Sequence, residues 1–412
     1  MPGQTVNLLI QRLGAQGDGI ADHEGRQVFV PFTLPGETVT ADINGDRARL
    51  VELLTPAPDR AAPKCSHYGE CGGCSLQHLG DQTYTAFKRD HLAMHLSYAG
   101  IPAELAPTII APPRSRRRAI FAAHRAHGRI VVGFHGRRSH HIIPIADCAV
   151  IRPALKALLP GLHEIAAIAA PPRDALTMAA TETLTGIDLA LNGAPKTLSG
   201  DARAMLVQTA TKLGLARLSI NGEVAAERIA PVLRMGAAEV TPPPGGFLQA
   251  SAEAEAAMVG LVIEAVAGAK RIVDLFAGAG TFSLPLAASA SVHAVEGELA
   301  GLAAIDKASR RTQGIKPVTT EKRDLFRQPL TRVELSKYDA AVIDPPRAGA
   351  EAQTRELAAS KISRVAMVSC NAQSFARDLK MMLDAGFKLE RLTPIDQFLW
   401  SPHIEIVAAL QR

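Results

Sequence analysis

The segment that decides the fold is residues 271–282, with the sequence RIVDLFAGAGTF. It joins an apolar strand candidate to an acid and two glycines, Gly278 and Gly280, ahead of a helix-like stretch. Glycines at such a turn let a ligand approach the backbone closely. Outward from this segment, helix-length stretches separate apolar strand candidates at 271–275, 291–296, 339–344 and 364–369. This alternation predicts an α/β fold with a mostly parallel sheet, whose ligands bind beyond the carboxyl ends of the strands.

Acidic residues at the strand ends favour a nucleoside ligand. Glu296 lies 22 residues after Asp274, where a carboxylate can accept hydrogen bonds from ribose hydroxyls. Asp324 and Asp344 stand where two further strands should end, although Asp324 alone is better explained as a helix cap. Ser283 replaces the third glycine of the dinucleotide pattern, so no pyrophosphate cradle is evident. We therefore expect S-adenosylmethionine, with dinucleotide binding as the competing interpretation.

Two side chains late in the chain have reactive groups. Cys370 ends a strand candidate at the same edge of the predicted sheet as the acids. A lone cysteine between apolar residues is usually an inert core residue, but this position favours a functional thiol. Glu405 lies on a later strand candidate, and alternation would place His403 on the same face. An exposed strand face is the ordinary location for such a glutamate.

Composition excludes several classes of protein. The length of 412 residues predicts two or three domains, and 47% hydrophobic with 21% charged residues excludes a disordered chain. Five cysteines are too few for a disulfide scaffold, and Met1 to Ile10 lacks the features of a signal peptide. No stretch of the sequence is long and apolar enough to predict a membrane-spanning helix. We expect a cytoplasmic monomer with no membrane partner.

The net charge of +5 is concentrated in one segment. Residues 112–141 contain eight arginines, five histidines and no acid or lysine, so the rest of the chain carries −3. Such a segment favours RNA binding through phosphates, with Phe121 and Phe134 as stacking surfaces. The predicted RNA contacts are Arg114, Arg116, Arg117 and Arg118. A solvated charged face is the main alternative.

The N-terminal part divides into a strand-rich region and a cysteine cluster. Residues 5–55 contain short strand candidates between turn signals, which predicts a small β-barrel, and the Pro-rich run 55–63 predicts a linker. Three cysteines then fall within ten residues around Gly72 and Gly73, and one later cysteine is the candidate fourth ligand. The four candidates are Cys65, Cys71, Cys74 and Cys148. By ligand count they fit zinc or a [4Fe–4S] cluster equally well.

Four motifs follow one another along the chain in a set order. They are 274–280 (DLFAGAG), 344–349 (DPPRAG), 369–371 (SCN) and 403–405 (HIE). This set resembles the RNA 5-methyluridine methyltransferases, most closely the bacterial 23S ribosomal RNA branch, and the likeness is weakest over 151–240. It implies a Rossmann-like class I methyltransferase domain over 251–412, an N-terminal TRAM barrel (OB-like) over 1–58, and a central α+β domain over 59–250 that carries an iron–sulfur cluster and the RNA-binding segment.

The resemblance implies a role for each matching residue. Cys370 would be the nucleophile that adds to C6 of uracil, and Glu405 the base that removes the C5 proton. The implied S-adenosylmethionine-binding set is Gln249, Phe276, Thr281, Glu296, Asp324 and Asp344. The four clustered cysteines would hold [4Fe–4S] rather than zinc, and 23S ribosomal RNA would be the substrate.

Several alternatives remain open. Transfer RNA is the second substrate candidate, a non-catalytic iron–sulfur RNA-binding protein is the candidate from another class, and a nicotinamide dehydrogenase is disfavoured by the glycine pattern. The Pro-Pro-Arg turn at 345–347 lacks the cysteine of RNA 5-methylcytosine methyltransferases and the aromatic residue of amino-methylating enzymes. The chain departs from the family pattern at Ala277, Ala372, Leu399 and Ser401, and none of these positions is a proposed catalytic group.

Overall fold

The structure is a computed structural model that describes residues 4–102, 104–126 and 128–412. Its N-terminal strands are β1 (Gln4–Leu9), β2 (Arg12–Leu13), β3 (Gly19–His23), β4 (Arg26–Val30), β5 (Thr38–Asn44) and β6 (Arg47–Thr55). They form a six-stranded sheet in the order β1-β5-β6-β4-β3-β2. Alternating side chains such as Val28, Val30 and Val39 are buried in a core that belongs to this sheet alone. Gly45, with φ 69°, supplies the left-handed turn between β5 and β6.

The central part is built around a second sheet. It contains α1 (Asp81–Tyr98), β7 (Ile109–Ile110), β8 (Arg118–Ala126), β9 (Arg129–His135), β10 (Ile142–Pro144), α2 (Pro153–Ala157), α3 (Leu159–Ala169), β11 (Leu176–Thr183), β12 (Gly186–Asn192), α4 (Gly200–Lys212), β13 (Arg217–Ile220) and β14 (Glu223–Glu227). Seven of these strands pair in the order β10-β9-β8-β11-β12-β13-β14. Leu162 and Ile165 on α3 and Leu206 on α4 cover one face of the sheet in a single buried cluster.

The C-terminal part alternates strands and helices. Its elements are β15 (Leu233–Met235), β16 (Ala238–Val240), α5 (Ala252–Ala265), β17 (Arg271–Leu275), α6 (Ser283–Leu286), β18 (Ser291–Glu296), α7 (Leu299–Arg311), β19 (Val318–Lys322), α8 (Arg332–Leu335), β20 (Ala340–Ile343), α9 (Glu351–Ala359), β21 (Arg364–Ser369), α10 (Ala372–Asp384), β22 (Lys388–Asp396) and β23 (Glu405–Gln411). The main sheet has the order β19-β18-β17-β20-β21-β23-β22-β7. Within the described ranges, no helix has the length and apolarity needed to cross a membrane.

The predicted α/β fold is confirmed. All four strand candidates of the C-terminal part form strands, and β17, β18, β19, β20 and β21 pair in parallel, whereas β23 runs antiparallel to both of its neighbours. The strand order reverses direction between β17 and β20. A crevice opens at such a reversal because the flanking helices lie on opposite faces of the sheet. The strand ends that carry Asp274 and Asp344 border this crevice.

Helix α1 and strand β7 join the C-terminal sheet although they precede the central one. β7 pairs in parallel with β22. On α1, Leu92 and Leu96 are buried in the same cluster as Val273 and Phe375 of the C-terminal part. The chain therefore enters the C-terminal core before it builds the central sheet, and α1 is part of the support beneath the last two strands.

A buried ion pair fixes α1 to the end of β22. Lys88 Nζ lies 2.8 Å from Asp396 Oδ1, and the two side chains are 1% and 0% exposed. Tyr84 donates a second hydrogen bond to the Asp396 carboxylate and accepts one from Trp400 N at 2.8 Å. Lys88 also donates to the His403 carbonyl. Burial lowers the pKa of Lys88, and the charge of Asp396 opposes this. The segment between β22 and β23 is thereby held against one turn of α1.

Replacing Lys88 with Met should destabilise the protein by about 3–5 kcal/mol, because it leaves the Asp396 carboxylate buried without its cation. The measurement is urea unfolding followed by the fluorescence of Trp400, the single tryptophan, which lies in the segment that Lys88 holds. Lys212→Met is the matched control, since Lys212 also lies on a helix and pairs with Glu164, but both side chains are exposed. That control should lose only about 0–1 kcal/mol. Equal losses in the two variants would contradict the assignment.

Candidate active site

The loop after β17 forms the floor of the crevice. Phe276, Gly278 and Gly280 have φ of 64°, 56° and 99°, all in the left-handed region. A Cβ on Gly280 would lie 3.0 Å from side-chain carbons of Ile305 on α7 and Leu284 on α6, so the loop packs tightly against both helices. Both glycines of the motif are therefore favoured by their left-handed backbone conformation, and Gly280 is required by packing as well.

Asp274 is buried beneath this loop. Its Oδ2 accepts a hydrogen bond from Ser283 Oγ at 2.5 Å. Burial raises the pKa of Asp274 to about 7, opposed by the hydrogen bonds from Ser283. Ser283 stands where a third glycine would complete a dinucleotide pattern, and here its hydroxyl holds the carboxylate of the preceding strand. This arrangement disfavours the competing interpretation of dinucleotide binding.

Glu296 at the end of β18 is held by backbone donors. Its Oε2 accepts from Gly278 N and its Oε1 from Glu298 N, both at 2.9 Å. The carboxylate therefore has a fixed orientation beside the glycine loop, while the residue remains half-buried. Carboxylate oxygens have further lone pairs, so both can still accept hydrogen bonds from a ligand.

The side of the crevice beyond β19 is aromatic. The rings of Phe276 and Phe326 lie 5.4 Å apart at 57°. Asp324 holds this turn because its Oδ1 accepts from Phe326 N at 3.0 Å and from Arg327 N at 3.2 Å. Thr281 is half-buried in the glycine loop. Asp324 therefore caps this turn, and it is also an exposed acid beside the aromatic pair.

Cys370 lies between the end of β21 and the start of α10. Asn371 caps this helix, since its Oδ1 accepts from Gln373 N at 2.9 Å, and its amide nitrogen donates to the Arg347 carbonyl at 3.0 Å. The thiol is therefore fixed between a helix N-terminus and the turn that follows Asp344. Burial raises the pKa of Cys370 to about 11, the charges of Glu405 and Asp344 add to this, and Arg347 opposes it.

Glu405 is the first residue of β23 and a neighbour of Cys370. The antiparallel register pairs Ser369 with Ile406, so the next positions, Cys370 and Glu405, meet where the two strands open. Glu405 is 4% exposed. Burial raises its pKa to about 7, and a hydrogen bond from Gln397 and the charge of Arg347 oppose the increase.

Two further predicted residues complete this region, and a third differs from expectation. Burial raises the pKa of Asp344 well above its usual value, with the charges of Glu405 and Asp274 contributing. Gln249 is 2% exposed.

His403 precedes β23, with its ring 3.4 Å from the Arg347 guanidinium, so it does not share a strand face with Glu405 as alternation predicted. Burial lowers its pKa to about 4, with the charge of Arg347 next in importance.

Sequence analysis missed one residue of the site, Gln397. Its amide nitrogen donates to Gln249 Oε1 at 2.6 Å and to Glu405 Oε1 at 2.9 Å, and its Oε1 accepts from Ala250 N at 2.8 Å. It is 3% exposed. No local pattern marks a glutamine just after a strand as special, so only the fold reveals the contact.

The four clustered cysteines come together although Cys148 is distant in sequence. All four are free and half-buried. Burial raises the pKa of Cys74 to about 12, with Gln77 opposing and the charges of Cys148, Cys71 and Cys65 adding to the increase. Burial also raises the pKa values of Cys71 and Cys148. Cys71 and Cys148 pack against one buried cluster, and Cys65, Cys74 and Cys148 against another, so the four thiols lie in one region of the fold. Within the described ranges, no set of three or more His, Cys, Asp or Glu side chains has the arrangement of a site for a metal ion.

Buried polar groups without partners surround Cys74. Both amide atoms of Gln77 and the hydroxyl oxygen of Ser75 are buried and find no hydrogen-bond partner in the part of the chain that the structure describes. Buried polar groups are normally satisfied, and for the Gln77 amide the nearby partner is the Cys74 thiol, whose pKa it lowers. The same loop reaches the active site, because Ser75 N and Leu76 N donate to the Trp400 carbonyl at 2.8 and 3.0 Å.

The arginine-rich segment forms β8, β9 and the turns around them. Arg117 is 7% exposed and pairs with Glu255 at 2.5 Å, while its Nε donates to the Gln249 carbonyl at 3.3 Å. Nε and Nη2 of Arg117 are thus bonded inside the protein, and an RNA contact by this residue stays a prediction. Arg118 is half-buried and donates to the Gly245 carbonyl at 3.2 Å.

The other arginines of the segment differ in exposure. Arg114 is exposed and lies 3.6 Å from the exposed Asp147. Arg116 stacks its guanidinium over the ring of Phe398 at 5.6 Å, close to the active-site turn. Arg137 pairs with the buried Asp18 of the N-terminal sheet. The segment therefore joins three parts of the chain and leaves only part of its charge to solvent.

The two aromatic residues of the segment differ in burial. Phe121 is fully buried, and its ring stacks on that of Phe134 at 4.9 Å with an angle of 18°. Both belong to the core beneath the central sheet. The expectation of base stacking on Phe121 is therefore wrong, because strand alternation points its ring into the core, whereas Phe134 is half-buried and its stacking role stays a prediction.

Comparison with known proteins identifies the class of this site. A sequence profile of the tRNA (uracil-5-)-methyltransferase family matches residues 241–412, and a TRAM domain profile matches residues 1–50. An uncharacterized RNA methyltransferase of Brucella suis is 46% identical over 99% of this chain and 98% of its own. The 23S rRNA (uracil(1939)-C(5))-methyltransferase of Halomonas elongata is 33% identical over 98% of this chain and 89% of its own.

A solved structure shares the fold across the whole chain. It is the Pyrococcus abyssi tRNA (uracil-54, C5)-methyltransferase in complex with S-adenosyl-L-homocysteine, with a TM-score of 0.77, 21% identity, and coverage of 98% of this chain and 99% of that one. The Rossmann-like class I methyltransferase architecture with an N-terminal TRAM domain is thereby confirmed. On these grounds, the chain belongs to the S-adenosylmethionine-dependent RNA (uracil-5-)-methyltransferase family.

Proposed function

We propose that this enzyme methylates C5 of a uridine in 23S ribosomal RNA, with Cys370 as nucleophile and Glu405 as base. The observation that carries the proposal is the meeting of these two residues across β21 and β23, at the crevice that Asp274 and Asp344 border. A non-catalytic RNA-binding protein would have no need for a thiol and a buried carboxylate as neighbours at that position. The 33% identical relative from Halomonas elongata favours 23S ribosomal RNA as substrate. Transfer RNA is the second candidate because the family profile carries that name.

The proposed mechanism uses each group once. Cys370 loses its proton to solvent, its sulfur bonds to C6, and the C5=C6 electrons move toward O4 to give an enolate. C5 then attacks the methyl group of the sulfonium, and S-adenosylhomocysteine leaves. Glu405 removes the C5 proton, the C5=C6 bond forms again, and the thiolate departs. With a pKa near 7, Glu405 is basic enough to accept a proton and still ionised in part of the population.

The cofactor would bind between the glycine loop and the ends of β18, β19 and β20. Glu296 would accept hydrogen bonds from the ribose hydroxyls, and the adenine ring would pack against the aromatic side of the crevice. Gln249 and Asp344 lie toward Glu405, since Gln397 bonds to both Gln249 and Glu405 and the charge of Glu405 raises the pKa of Asp344. The full set is Gln249, Phe276, Thr281, Glu296, Asp324 and Asp344.

We also propose that Cys65, Cys71, Cys74 and Cys148 hold a [4Fe–4S] cluster. What supports this proposal is that the four free thiols lie in one region of the fold, with the buried polar atoms of Ser75 and Gln77 on the same loop as Cys74. Cluster sulfides accept hydrogen bonds, which would satisfy such donors. When bound, the cluster would supply a rigid tie between the cysteine loop and the strand region around Cys148, and no step of methyl transfer needs its electrons.

Cys370→Ala should abolish methyl transfer, and Glu405→Gln should accumulate a covalent RNA–protein adduct, because only the second variant can form the bond to C6. The measurement is transfer of labelled methyl groups to unmodified 23S ribosomal RNA and to unmodified transfer RNA, with adducts resolved on denaturing gels. The rate of the unaltered enzyme should rise with pH through about 7, since Glu405 must be ionised to act as base.

Ser374→Ala is a useful control for these variants. Ser374 lies on α10, and its hydroxyl donates to the Arg347 carbonyl near Cys370 without being a proposed reactive group. It should retain adduct formation and turnover within about tenfold. Full activity of Cys370→Ala or Glu405→Gln would exclude the mechanism, and methylation of transfer RNA alone would replace ribosomal RNA as the substrate.

Protein purified without oxygen should show the visible absorption of an iron–sulfur cluster and contain about four irons per chain. Cys74→Ser should remove most of the iron, whereas Cys370→Ser should retain it, because Cys370 is the cysteine outside the cluster. Iron analysis and absorption spectra measure both effects. One zinc per chain without iron would refute the cluster.

Arg114→Ala should weaken RNA binding and lower the slope of log affinity against log salt by ~0.7–0.9, the effect of one lost phosphate contact. Arg117→Ala should leave that slope unchanged and lower the stability instead, because it leaves Glu255 buried without its cation. Salt titrations of RNA binding together with thermal unfolding separate the two effects. If only Arg117→Ala reduced the salt slope, Arg117 rather than Arg114 would be the residue that contacts a phosphate.

A further inference from the structure

Gln397 is placed between the proposed cofactor site and the proposed base. Its amide nitrogen has two hydrogens, and the structure uses one toward Gln249 Oε1 and the other toward Glu405 Oε1. Its oxygen accepts from Ala250 N. Gln397 therefore makes three hydrogen bonds in a buried location, and two of them reach side chains with proposed roles.

The backbone bond sets the direction in which the amide points. Ala250 N can only donate, so the atom that lies 2.8 Å from it has to be the side-chain amide oxygen, Oε1, of Gln397. The nitrogen must then face Gln249 and Glu405. Since Ala250 immediately follows Gln249, one short stretch of chain orients Gln397 and also accepts a hydrogen bond from it.

These hydrogen bonds determine which polar atoms of Glu405 and Gln249 remain available for substrate or cofactor. Glu405 Oε1 accepts from Gln397, which leaves Oε2 as the oxygen free to take a proton. Gln249 Oε1 is likewise occupied, which leaves its amide nitrogen to donate into the cofactor crevice. A glutamine in this position favours the ionised form of Glu405, because it offers a donor and no acceptor to the carboxylate.

We propose that Gln397 is a positioning residue that couples the cofactor side chain Gln249 to the base Glu405. The inference rests on the proposed function, since it assigns Gln397 to the proton-removal step of that reaction. When the cofactor fixes Gln249, the shared amide is fixed as well, and Glu405 is held ready for the C5 proton.

The first test compares Gln397→Met with the unaltered enzyme. Methionine retains the length of the side chain and removes all three hydrogen bonds. We expect kcat to fall about tenfold or more, the KM for S-adenosylmethionine to rise severalfold, and the acid limb of the pH–rate profile to move to higher pH. The other ionisable groups facing Glu405 are Arg347, Asp344 and Cys370, and all three stay in place in this variant.

The second test isolates the step at which Gln397 acts. RNA that carries 5-fluorouridine has no C5 proton to remove, so it forms a stable methylated adduct without help from Glu405. At saturating S-adenosylmethionine, Gln397→Met should form this adduct at a rate close to that of the unaltered enzyme. Normal adduct formation with slow turnover on ordinary RNA supports the inference, and equal loss of both rates overturns it.

Gln353→Met is the matched control for general damage to the core. Gln353 is also fully buried, and its amide bonds to Leu330 N and to the Leu330 carbonyl, away from Cys370 and Glu405. It should lose stability without a shift of the pH profile. In a Glu405→Gln background and at saturating S-adenosylmethionine, Gln397→Met should have no additional effect on the residual turnover, and an additive loss under those conditions would overturn the inference. An unaltered enzyme that methylates no uridine would instead refute the proposed function itself.

Discussion

The buried pair of Lys88 and Asp396 is the contact on which the geometry of the active site depends. Asp396 ends β22, and the residues between it and Glu405 form no regular structure of their own. Their position comes from the side chains of α1, since Tyr84 bonds to Trp400 N and Lys88 to the His403 carbonyl. A helix that precedes the central sheet in sequence thus positions the loop on which the proposed base depends.

The charges around the crevice are balanced for a cationic cofactor. Asp274 and Glu405 are buried and Asp344 is half-buried, and all three acids have raised pKa values, while Arg347 is the cation that opposes the increase at Glu405 and Cys370. The positive sulfonium of S-adenosylmethionine would offset this excess of acid groups. Methyl transfer removes that charge, so S-adenosylhomocysteine is held less strongly by the same acids, which favours its release.

Local patterns were sufficient to predict the strands, the helices between them and the acids at the strand ends, because periodicity and position along one strand are encoded within a few residues. The antiparallel β23 beside β21, which brings Glu405 to Cys370, follows from pairing over a long separation. Gln397 bonds to Gln249 across 148 positions of sequence. Arg117 looked identical to its neighbours, and only the buried Glu255, 138 positions later, distinguishes it.

The loop that carries Cys74 and the loop between β22 and β23 meet at the peptide carbonyl of Trp400. Trp400 has a φ of 59°, a left-handed conformation that is unfavourable for a bulky residue and so needs support from its surroundings. Ser75 N and Leu76 N supply this support by donating to its carbonyl, and Lys64 lies over its ring at 5.6 Å. A group that orders Cys65 and Cys74 also orders these donors. The proposed cluster can therefore influence the site without electron transfer, by determining how firmly the loop ahead of Glu405 is held.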